Sequence, residues 1–314
     1  MIAFLAPGQG SQTPGMLAPW LDGPADGAIA DWSDVTGLDL RRLGTTAEAA
    51  EIRETAVTQP LVVATALLAA ARLAAQVELP AAAPVAGHSV GELAAAAFAG
   101  VLTPGAAVAL AAVRGREMAA ACTLEPTGMS AVLGGRPDEV LARLDELGLD
   151  PANRNGAGQV VAAGPLAALA ELGEAPPERS RVIALPVAGA FHTRFMAPAE
   201  ETLRVHSAGI SPSDPVRPLL SNFDGAQVTG GADVLRLLVA QVTRPVRWDS
   251  CMAALHGMGV TAVVELPPAG TLVGLVKREL KGIATLALRT PDDLGAAAEL
   301  ITEHAGARNP GAQA

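Results

Sequence analysis

The chain has 314 residues, a formal net charge of −10 and a hydrophobic fraction of one half. This length suits one large domain, or a main domain with a smaller inserted one, and the apolar fraction is ample for a buried core. The acidic balance argues against nucleic acid or an anionic membrane surface as the main partner.

Cysteine usage and the N-terminus predict a cytoplasmic protein. Cys122 and Cys251 form no CxxC pair, which argues against a structural zinc site and a disulfide framework and fits a reducing compartment. The start, "MIAFLAPGQG", is typical of a strand rather than a signal peptide. The longest apolar run, 60–77, is interrupted by polar residues, so it predicts a buried helix and not a membrane span.

In the first 126 residues, short apolar runs alternate with segments of helical composition. Turn residues and N-cap residues mark the ends of these segments. The predicted elements are a strand at 2–6, a helix at 60–77 capped by Thr58, a strand at 84–86, a helix from Gly91 to Gly100, and a helix starting at Pro104 and capped by Thr103.

The pattern changes after Glu125. The predicted order is strand, helix, two strands joined by a tight turn at Asn155-Gly156, helix and strand, which is the ferredoxin-like split motif. The elements are a strand at 129–133, a helix at 137–147, strands within 151–155 and 158–164, a helix at 165–172 and a strand at 181–187. We therefore predict a small inserted domain at 127–191.

Buried strands and helices alternate again after residue 191. The predicted strands are 216–220, 261–266 and 283–288, and the predicted helices are 234–242 and 250–258. Residues 1–126 and 192–305 are expected to form one large α/β domain with a mostly parallel sheet. The Gly/Pro/Gln-rich tail, 306–314, is expected to be disordered.

Gly87-His88-Ser89-Val90-Gly91 fits the G-x-S-x-G nucleophile elbow, between a predicted strand and a predicted helix. Such a turn exposes the serine hydroxyl, and the helix N-terminus favours developing negative charge. The alternative is a glycine-rich turn with an incidental serine. With an elbow, the large domain is predicted to be α/β-hydrolase-like, and Ser89 to be the nucleophile.

A serine nucleophile needs a base within hydrogen-bond reach. His88 is adjacent in sequence, but neighbouring side chains diverge on a sharp turn, so we expect it to pack beneath the elbow. His192 is the favoured base, because "GAFHTRFM" lies just beyond a strand, where catalytic residues are often held. The other three histidines, His206, His256 and His304, are expected at surface or boundary positions.

No acidic residue stands out as a third triad member. The candidates are Asp214, Asp224, Asp233 and Asp249. A backbone carbonyl can also orient an imidazole by accepting its Nδ1 proton. A Ser–His dyad therefore remains open beside a triad.

Two further features concern anions. "PGQGSQ", 7–12, is a glycine-rich turn whose main-chain N–H groups can complete an oxyanion hole with that of Val90. It lacks the lysine and spacing of a phosphate loop. Arg114 lies on an apolar helix and needs an anionic partner, either in a structural ion pair or in a ligand. Arg116 is expected to point to solvent.

Together, "PGQGSQ", "GHSVGE", "RGREM", "GAFHTRFM", "PVRW" and "TLVGLVKR" resemble the malonyl-CoA:acyl carrier protein transacylases. The order and spacing agree from residue 1 to about 300. The acyltransferase domains of polyketide synthases share much of the set. The resemblance implies the same ferredoxin-like small domain, with the site between the domains.

The resemblance also implies a role for each matching residue. Ser89 would be acylated, His192 would be the base, and the amides of Gln9 and Val90 would hold the oxyanion. Arg114 would bind the malonyl carboxylate as a bidentate pair. A backbone carbonyl near the PVRW segment, within 244–248, would orient the histidine, and Arg247 is the candidate.

Two further positions bear on the resemblance. Phe191 is the residue that the family associates with malonyl, whereas serine there often accompanies methylmalonyl. The family usually has a Gly-Pro-Gly or Pro-Gly-Gly turn where this chain has Leu266-Pro267-Pro268-Ala269-Gly270.

The predicted function is ping-pong transfer of malonyl from malonyl-CoA, through Ser89, to the phosphopantetheine thiol of acyl carrier protein, in fatty acid or polyketide synthesis. A thioester is already activated, so no metal or redox cofactor is expected. The alternatives are a serine thioesterase or hydrolase, a polyketide acyltransferase for another carboxyacyl-CoA, and a silent scaffold that binds acyl carriers.

The expected partners are malonyl-CoA and acyl carrier protein, with no nucleic acid, no membrane and a monomeric state. The carrier is acidic, so docking on this acidic chain requires a local basic surface. The candidates are Arg194, Arg244, Lys277, Arg278 and Lys281. For the last three, a solvated helix face is the alternative.

Overall fold

The computed structural model describes residues 1–306, and most of the predicted disordered tail lies outside the described residues. Within these residues the strands build two sheets. In chain order, the strands are β1 (Ile2–Ala6), β2 (Val85–Gly87), β3 (Thr127–Gly134), β4 (Asp150–Gly156), β5 (Gln159–Pro165), β6 (Ser180–Ala184), β7 (Leu219–Leu220), β8 (Gln227–Val228), β9 (Val246–Arg247), β10 (Ala262–Glu265) and β11 (Ala284–Ala287).

Helices cover both sheets. In chain order they are α1 (Pro24–Thr36), α2 (Leu40–Thr45), α3 (Thr55–Gln76), α4 (Gly91–Phe98), α5 (Pro104–Ala121), α6 (Pro137–Glu146), α7 (Leu166–Glu174), α8 (Ala197–Ser207), α9 (Gly231–Ala240), α10 (Trp248–Gly257), α11 (Thr271–Glu279) and α12 (Leu294–His304). Short 3-10 helices lie at Ala18–Trp20, Glu51–Arg53, Arg194–Met196, Gln241–Thr243 and Pro291–Asp293.

The large sheet has the order β11-β10-β1-β2-β7-β8, and every neighbouring pair is parallel except β7–β8. Ala6 at the end of β1 stands opposite Gly87 at the end of β2. Because β1, β2 and β7 are parallel neighbours, their carboxyl ends meet at one edge of the sheet, where α/β proteins place their ligands. The predicted strand at 216–220 is shorter in the structure, as β7 spans its last two residues.

Helix α3 lies in the main core and packs along α5. It is long and apolar enough to cross a membrane by composition, but 78% of its most apolar window is buried inside the protein. The predicted start was wrong. The helix begins at Thr55, and the Thr58 hydroxyl donates to the Ile52 carbonyl instead of capping the helix; Pro60 lies inside it. At α5, the Thr103 cap is confirmed, with its hydroxyl accepting from the Ala106 N–H at 3.2 Å.

The small sheet has the order β6-β3-β5-β4-β9. Strands β3 to β6 pair antiparallel and alternate with α6 and α7 as a ferredoxin-like split motif. The fifth strand, β9, comes from outside 127–191 and runs parallel to β4, so it ties this sheet to the rest of the chain. The predicted fold class, α/β with a second smaller sheet, is confirmed; the domain boundaries stay predictions.

The tight turn predicted at Asn155-Gly156 lies two residues later. Gly156 pairs with Gln159, so the turn is Ala157-Gly158, with φ of 49° and 70°. These left-handed values are those of a type I′ hairpin turn, which relies on glycine or on a residue that tolerates positive φ. As a result Asn155 belongs to β4 and its side chain is free to reach the large sheet.

Candidate active site

The serine turn has the geometry of a nucleophile elbow. It joins β2 to α4, and Ser89 has φ 54°, which is rare and strained for a residue with a side chain. Two glycines make the turn possible. A Cβ on Gly87 would lie 2.1 Å from the Gly91 carbonyl oxygen, and one on Gly91 would lie 2.3 Å from that of Ala6. The chain can therefore present the serine only with glycine at both positions.

His192 lies after β6, where the chain leaves the small sheet, and its side chain faces Ser89. Its Nε2 lies 2.7 Å from Ser89 Oγ, and its Nδ1 lies 2.8 Å from the main-chain oxygen of Gln241. The imidazole is 3% exposed, and burial lowers its pKa from 6.5 to about 3, with the Arg114 charge acting in the same direction. The ring is therefore neutral. Since a carbonyl can only accept, Nδ1 carries the proton and Nε2 is free to take the serine proton.

The carbonyl that orients His192 is not the one expected. Arg247 was the candidate, but its N–H donates to the Asn222 carbonyl and its guanidinium pairs with Asp249. Gln241 directly follows α9, three residues before the stretch 244–248 begins, and its carbonyl points to the imidazole. The prediction of Arg247 was wrong because chain proximity to PVRW does not say which carbonyl faces inward.

The four candidate aspartates are engaged elsewhere. Three are bound locally: Asp224 accepts from the Ala226 N–H, Asp233 pairs with Arg236, and Asp249 pairs with Arg247. Asp214 accepts from the Gly231 N–H. The geometry is therefore that of a Ser–His dyad oriented by a backbone carbonyl.

His88 turns away from Ser89, as its place on a sharp turn predicts. Its Nε2 lies 2.8 Å from Asn155 Oδ1, and its ring packs edge-on against Trp248, with the centroids 5.5 Å apart. His206 and His256 are exposed, and His304 contacts the Thr261 hydroxyl far along the chain. His192 is thus the histidine that the structure brings to the serine.

The first glycine-rich loop packs against the elbow. The His88 N–H donates to the Ala6 carbonyl at 3.0 Å, and a Cβ on Gly8 would lie 2.5 Å from the His88 oxygen. Within residues 1–306, the main-chain N–H groups of Gln9 and Val90 donate to no protein acceptor. Val90 also precedes the first turn of α4, whose dipole favours negative charge. These two groups fit the predicted oxyanion hole.

Arg114 is 2% exposed and reaches the serine from α5. Its Nη1 donates to Gln59 Oε1 at 2.7 Å, and its Nη2 donates to Gln241 Oε1 at 2.8 Å and to Ser89 Oγ at 3.3 Å. No carboxylate of residues 1–306 lies within ion-pair distance, which excludes the structural ion pair as the alternative there.

Burial is the main cause that lowers the pKa of Arg114, to about 10, so the guanidinium stays charged at neutral pH. It is a buried cation held by neutral amides, beside the nucleophile. Such a group is suited to a ligand carboxylate. Arg116 is exposed and pairs with Glu117, as expected.

Sequence reasoning missed four polar residues behind the site: Gln59, Glu92, Asn222 and Gln241, all buried. Asn222 follows β7, and its Oδ1 accepts from the Ser89 N–H at 2.8 Å while its Nδ2 donates to the Gly87 carbonyl at 2.7 Å. For Glu92 a signal was present, because a carboxylate opens the alanine-rich helix that follows the elbow. The others carry no local signal.

The docking candidates are all exposed: Arg194, Arg244, Lys277, Arg278 and Lys281. Arg194 follows His192 by two residues, with its guanidinium carbon 4.6 Å from the Phe195 ring centre. Lys277 and Arg278 lie in the last turn of α11, where Glu279 accepts from the Ala157 N–H of the small sheet.

The structure places both of the further positions that bear on the resemblance. Phe191, 6% exposed, is packed in the main core beside His192. The Pro267-Pro268 departure follows β10. There the buried Glu265 carboxylate accepts from the N–H groups of Gly270, Leu272 and Val273, each at 2.9 Å, and so caps the N-terminus of α11.

Residues 3–300 match the family model described as an acyl transferase domain. The chain is 59% identical over 302 residues to the malonyl CoA-acyl carrier protein transacylase of Mycobacterium tuberculosis, covering 96% of this chain and all of that protein. The crystal structure of MCAT from the same organism superposes with a TM-score of 0.91 at 58% identity, covering 95% of this chain and 99% of that one.

A second solved structure contains a carrier protein. It is a type II PKS acyl-carrier protein in complex with its malonyl-transacylase. The match has a TM-score of 0.88 and 30% identity, and it covers 95% of this chain and 99% of that one.

Proposed function

The chain belongs to the acyl transferase domain family and, within it, to the malonyl-CoA:acyl carrier protein transacylases; on that premise we propose that Ser89, His192 and Arg114 carry out its reaction. The enzyme transfers a malonyl group from malonyl-CoA to acyl carrier protein. The observation that carries the assignment of roles is that one serine hydroxyl lies 2.7 Å from a neutral imidazole and 3.3 Å from a buried guanidinium.

In the first half-reaction, His192 Nε2 takes the Ser89 proton as Oγ attacks the thioester carbonyl of malonyl-CoA. The new C–O bond gives a tetrahedral oxyanion, which the N–H groups of Gln9 and Val90 stabilise. The C–S bond then breaks, and the CoA sulfur leaves with the proton from the imidazolium. The products are free CoA and malonyl-Ser89.

The second half-reaction runs the same path in reverse with another thiol. The phosphopantetheine thiol of the carrier gives its proton to His192 and attacks the ester carbonyl. The C–O bond breaks, and Ser89 recovers its proton from the imidazolium. The backbone carbonyl of Gln241 supports the imidazolium formed in both halves through Nδ1. Both half-reactions balance without a metal or redox cofactor, and none is proposed.

Arg114 supplies the preference for a carboxyacyl group. Its guanidinium can form a bidentate pair with the malonyl carboxylate, and a neutral acyl group would leave the buried cation without an anion in direct contact. Phe191, the residue that the resemblance associates with malonyl, is buried next to His192 in the chain, which supports malonyl over methylmalonyl as the substrate.

Further proposals concern the setting of the enzyme. We place it in the cytoplasm as a monomer, in fatty acid or polyketide synthesis, with no nucleic-acid or membrane partner. Arg194 is the proposed docking residue for the acidic carrier because it is exposed and two residues from the base. Lys277 and Arg278 are secondary candidates on α11.

The test is the mass of the protein after incubation with malonyl-CoA, acetyl-CoA or methylmalonyl-CoA, without carrier. We expect a malonyl adduct that maps to Ser89 and moves to holo carrier protein when this is added. Ser89→Ala should carry no adduct. Release of free malonate without transfer to the carrier would instead indicate a hydrolase, and a larger adduct from methylmalonyl-CoA would indicate a different carboxyacyl substrate.

A further inference from the structure

Two buried charges flank the nucleophile without touching each other. Arg114 is 2% exposed and Glu92 is 4% exposed. No ion pair joins them within the described part of the chain. Each charge nevertheless favours the charged form of the other: Arg114 acts to lower the pKa of Glu92, and Glu92 acts to raise the pKa of Arg114. A buried charge without a compensating group is strongly unfavourable, so the structure must join them in another way.

The group between them is the side-chain amide of Gln241. Its Oε1 accepts from Arg114 Nη2 at 2.8 Å, and its Nε2 donates to Glu92 Oε2. An amide has one accepting end and one donating end, so the cation and the anion together determine its orientation. The same Nε2 also lies 3.1 Å from the Ser89 carbonyl oxygen.

Glu92 is itself held from a second side. Its Oε1 accepts from the Asn222 N–H at 3.0 Å, and Asn222 Oδ1 in turn accepts from the Ser89 N–H. The carboxylate therefore supports the amide that holds the arginine and the residue that holds the elbow. Neither contact touches the reacting atoms.

We propose that Glu92 is a positioning residue for recognition of the malonyl carboxylate: through the Gln241 amide, its buried negative charge orients Arg114 and balances the guanidinium until substrate binds. The proposal rests on the proposed role of Arg114. The amide spacer is essential to it, because a carboxylate in direct contact with the guanidinium would occupy the donors that the substrate needs.

The test compares Glu92→Gln with Glu265→Gln. Both change one buried carboxylate to an amide of the same shape, but Glu265 caps α11 and contacts no residue of the site. The readout is the ratio of kcat/KM for malonyl-CoA to that for acetyl-CoA, measured above pH 7, where Glu92 is ionised. Glu92→Gln should lower this ratio roughly tenfold or more, the effect of one impaired hydrogen bond to a charged group, mainly through a higher KM for malonyl-CoA. Glu265→Gln should leave the ratio unchanged.

Two more variants separate charge from structure. Glu92→Asp keeps the charge and should recover part of the ratio. Gln241→Met keeps Glu92 and the main-chain carbonyl at His192 but removes the amide, and it should lower the ratio as Glu92→Gln does. If Glu92→Gln does not fold, Gln241→Met decides.

The outcomes distinguish the two claims. A wild-type enzyme that forms no malonyl-Ser89 would contradict the proposed function itself. A wild-type enzyme that forms it, with a folded Glu92→Gln or Gln241→Met variant that keeps the wild-type ratio, would overturn the positioning role alone.

Discussion

Replacing Arg114 by alanine should convert a selective enzyme into an unselective one. The guanidinium is buried, donates to two amide oxygens at 2.7 and 2.8 Å, and has no protein carboxylate within ion-pair distance in residues 1–306. Loss of one partner from a buried, hydrogen-bonded charge pair costs about 3–5 kcal/mol. We therefore expect kcat/KM for malonyl-CoA to fall by roughly 150- to 5000-fold.

The acetyl group has no carboxylate, so its transfer should change only a few-fold, through the lost Nη2 contact to Ser89 Oγ. Arg114→Lys keeps the charge but not the bidentate geometry, so its kcat/KM for malonyl-CoA should lie between those of Arg114→Ala and wild type. The assay is transfer to holo carrier protein with each acyl-CoA across a range of concentrations.

Arg116→Ala is the matched control, since this arginine lies on the same helix but is exposed and pairs with Glu117. It should leave kcat/KM unchanged for both malonyl-CoA and acetyl-CoA. If Arg114→Ala keeps the wild-type malonyl to acetyl ratio while remaining folded, the carboxylate clamp is wrong.

Three further predictions concern the turn, the buried carboxylate and the carrier. Gly91→Ala should abolish acylation, because its Cβ would lie 2.3 Å from the Ala6 carbonyl oxygen, whereas Gly27→Ala, with no atom near its Cβ, should not; normal acylation of Gly91→Ala would contradict this reading. Burial raises the pKa of Glu92 from 4.5 to about 7, so its contribution to stability is full below pH 4.5 and is lost as pH rises through about 7. Relative to Glu92→Gln, wild type should lose about 3 kcal/mol over that range in urea unfolding, and parallel curves would refute it. Arg194→Glu should raise KM for the carrier and not for malonyl-CoA; an unchanged carrier KM would remove Arg194 from the docking surface.

Local patterns predicted most of the elements because they depend on neighbouring residues. The strand before Ser89, the helix after it and the Thr103 cap follow from residues a few positions apart, and the structure has them. The ferredoxin-like order also follows from the succession of strands and helices. One local cue misled: Thr58 and Pro60 suggest a helix start, but α3 begins one turn earlier at Thr55, and the Thr58 hydroxyl donates to the Ile52 carbonyl.

The sequence by itself determined the elbow, and the choice of His192 and Arg114 followed from their settings and from the resemblance. Only the tertiary structure decided how these residues are held. The Gln241 carbonyl on the imidazole, the amide between Arg114 and Glu92, and the exclusion of an aspartate triad within the described chain all join residues far apart in sequence. Such contacts arise because helices pack against the edge of the sheet where the parallel strands end. A buried polar group must then find a partner among whatever side chains that packing brings near it, and no spacing along the chain records which one it will be.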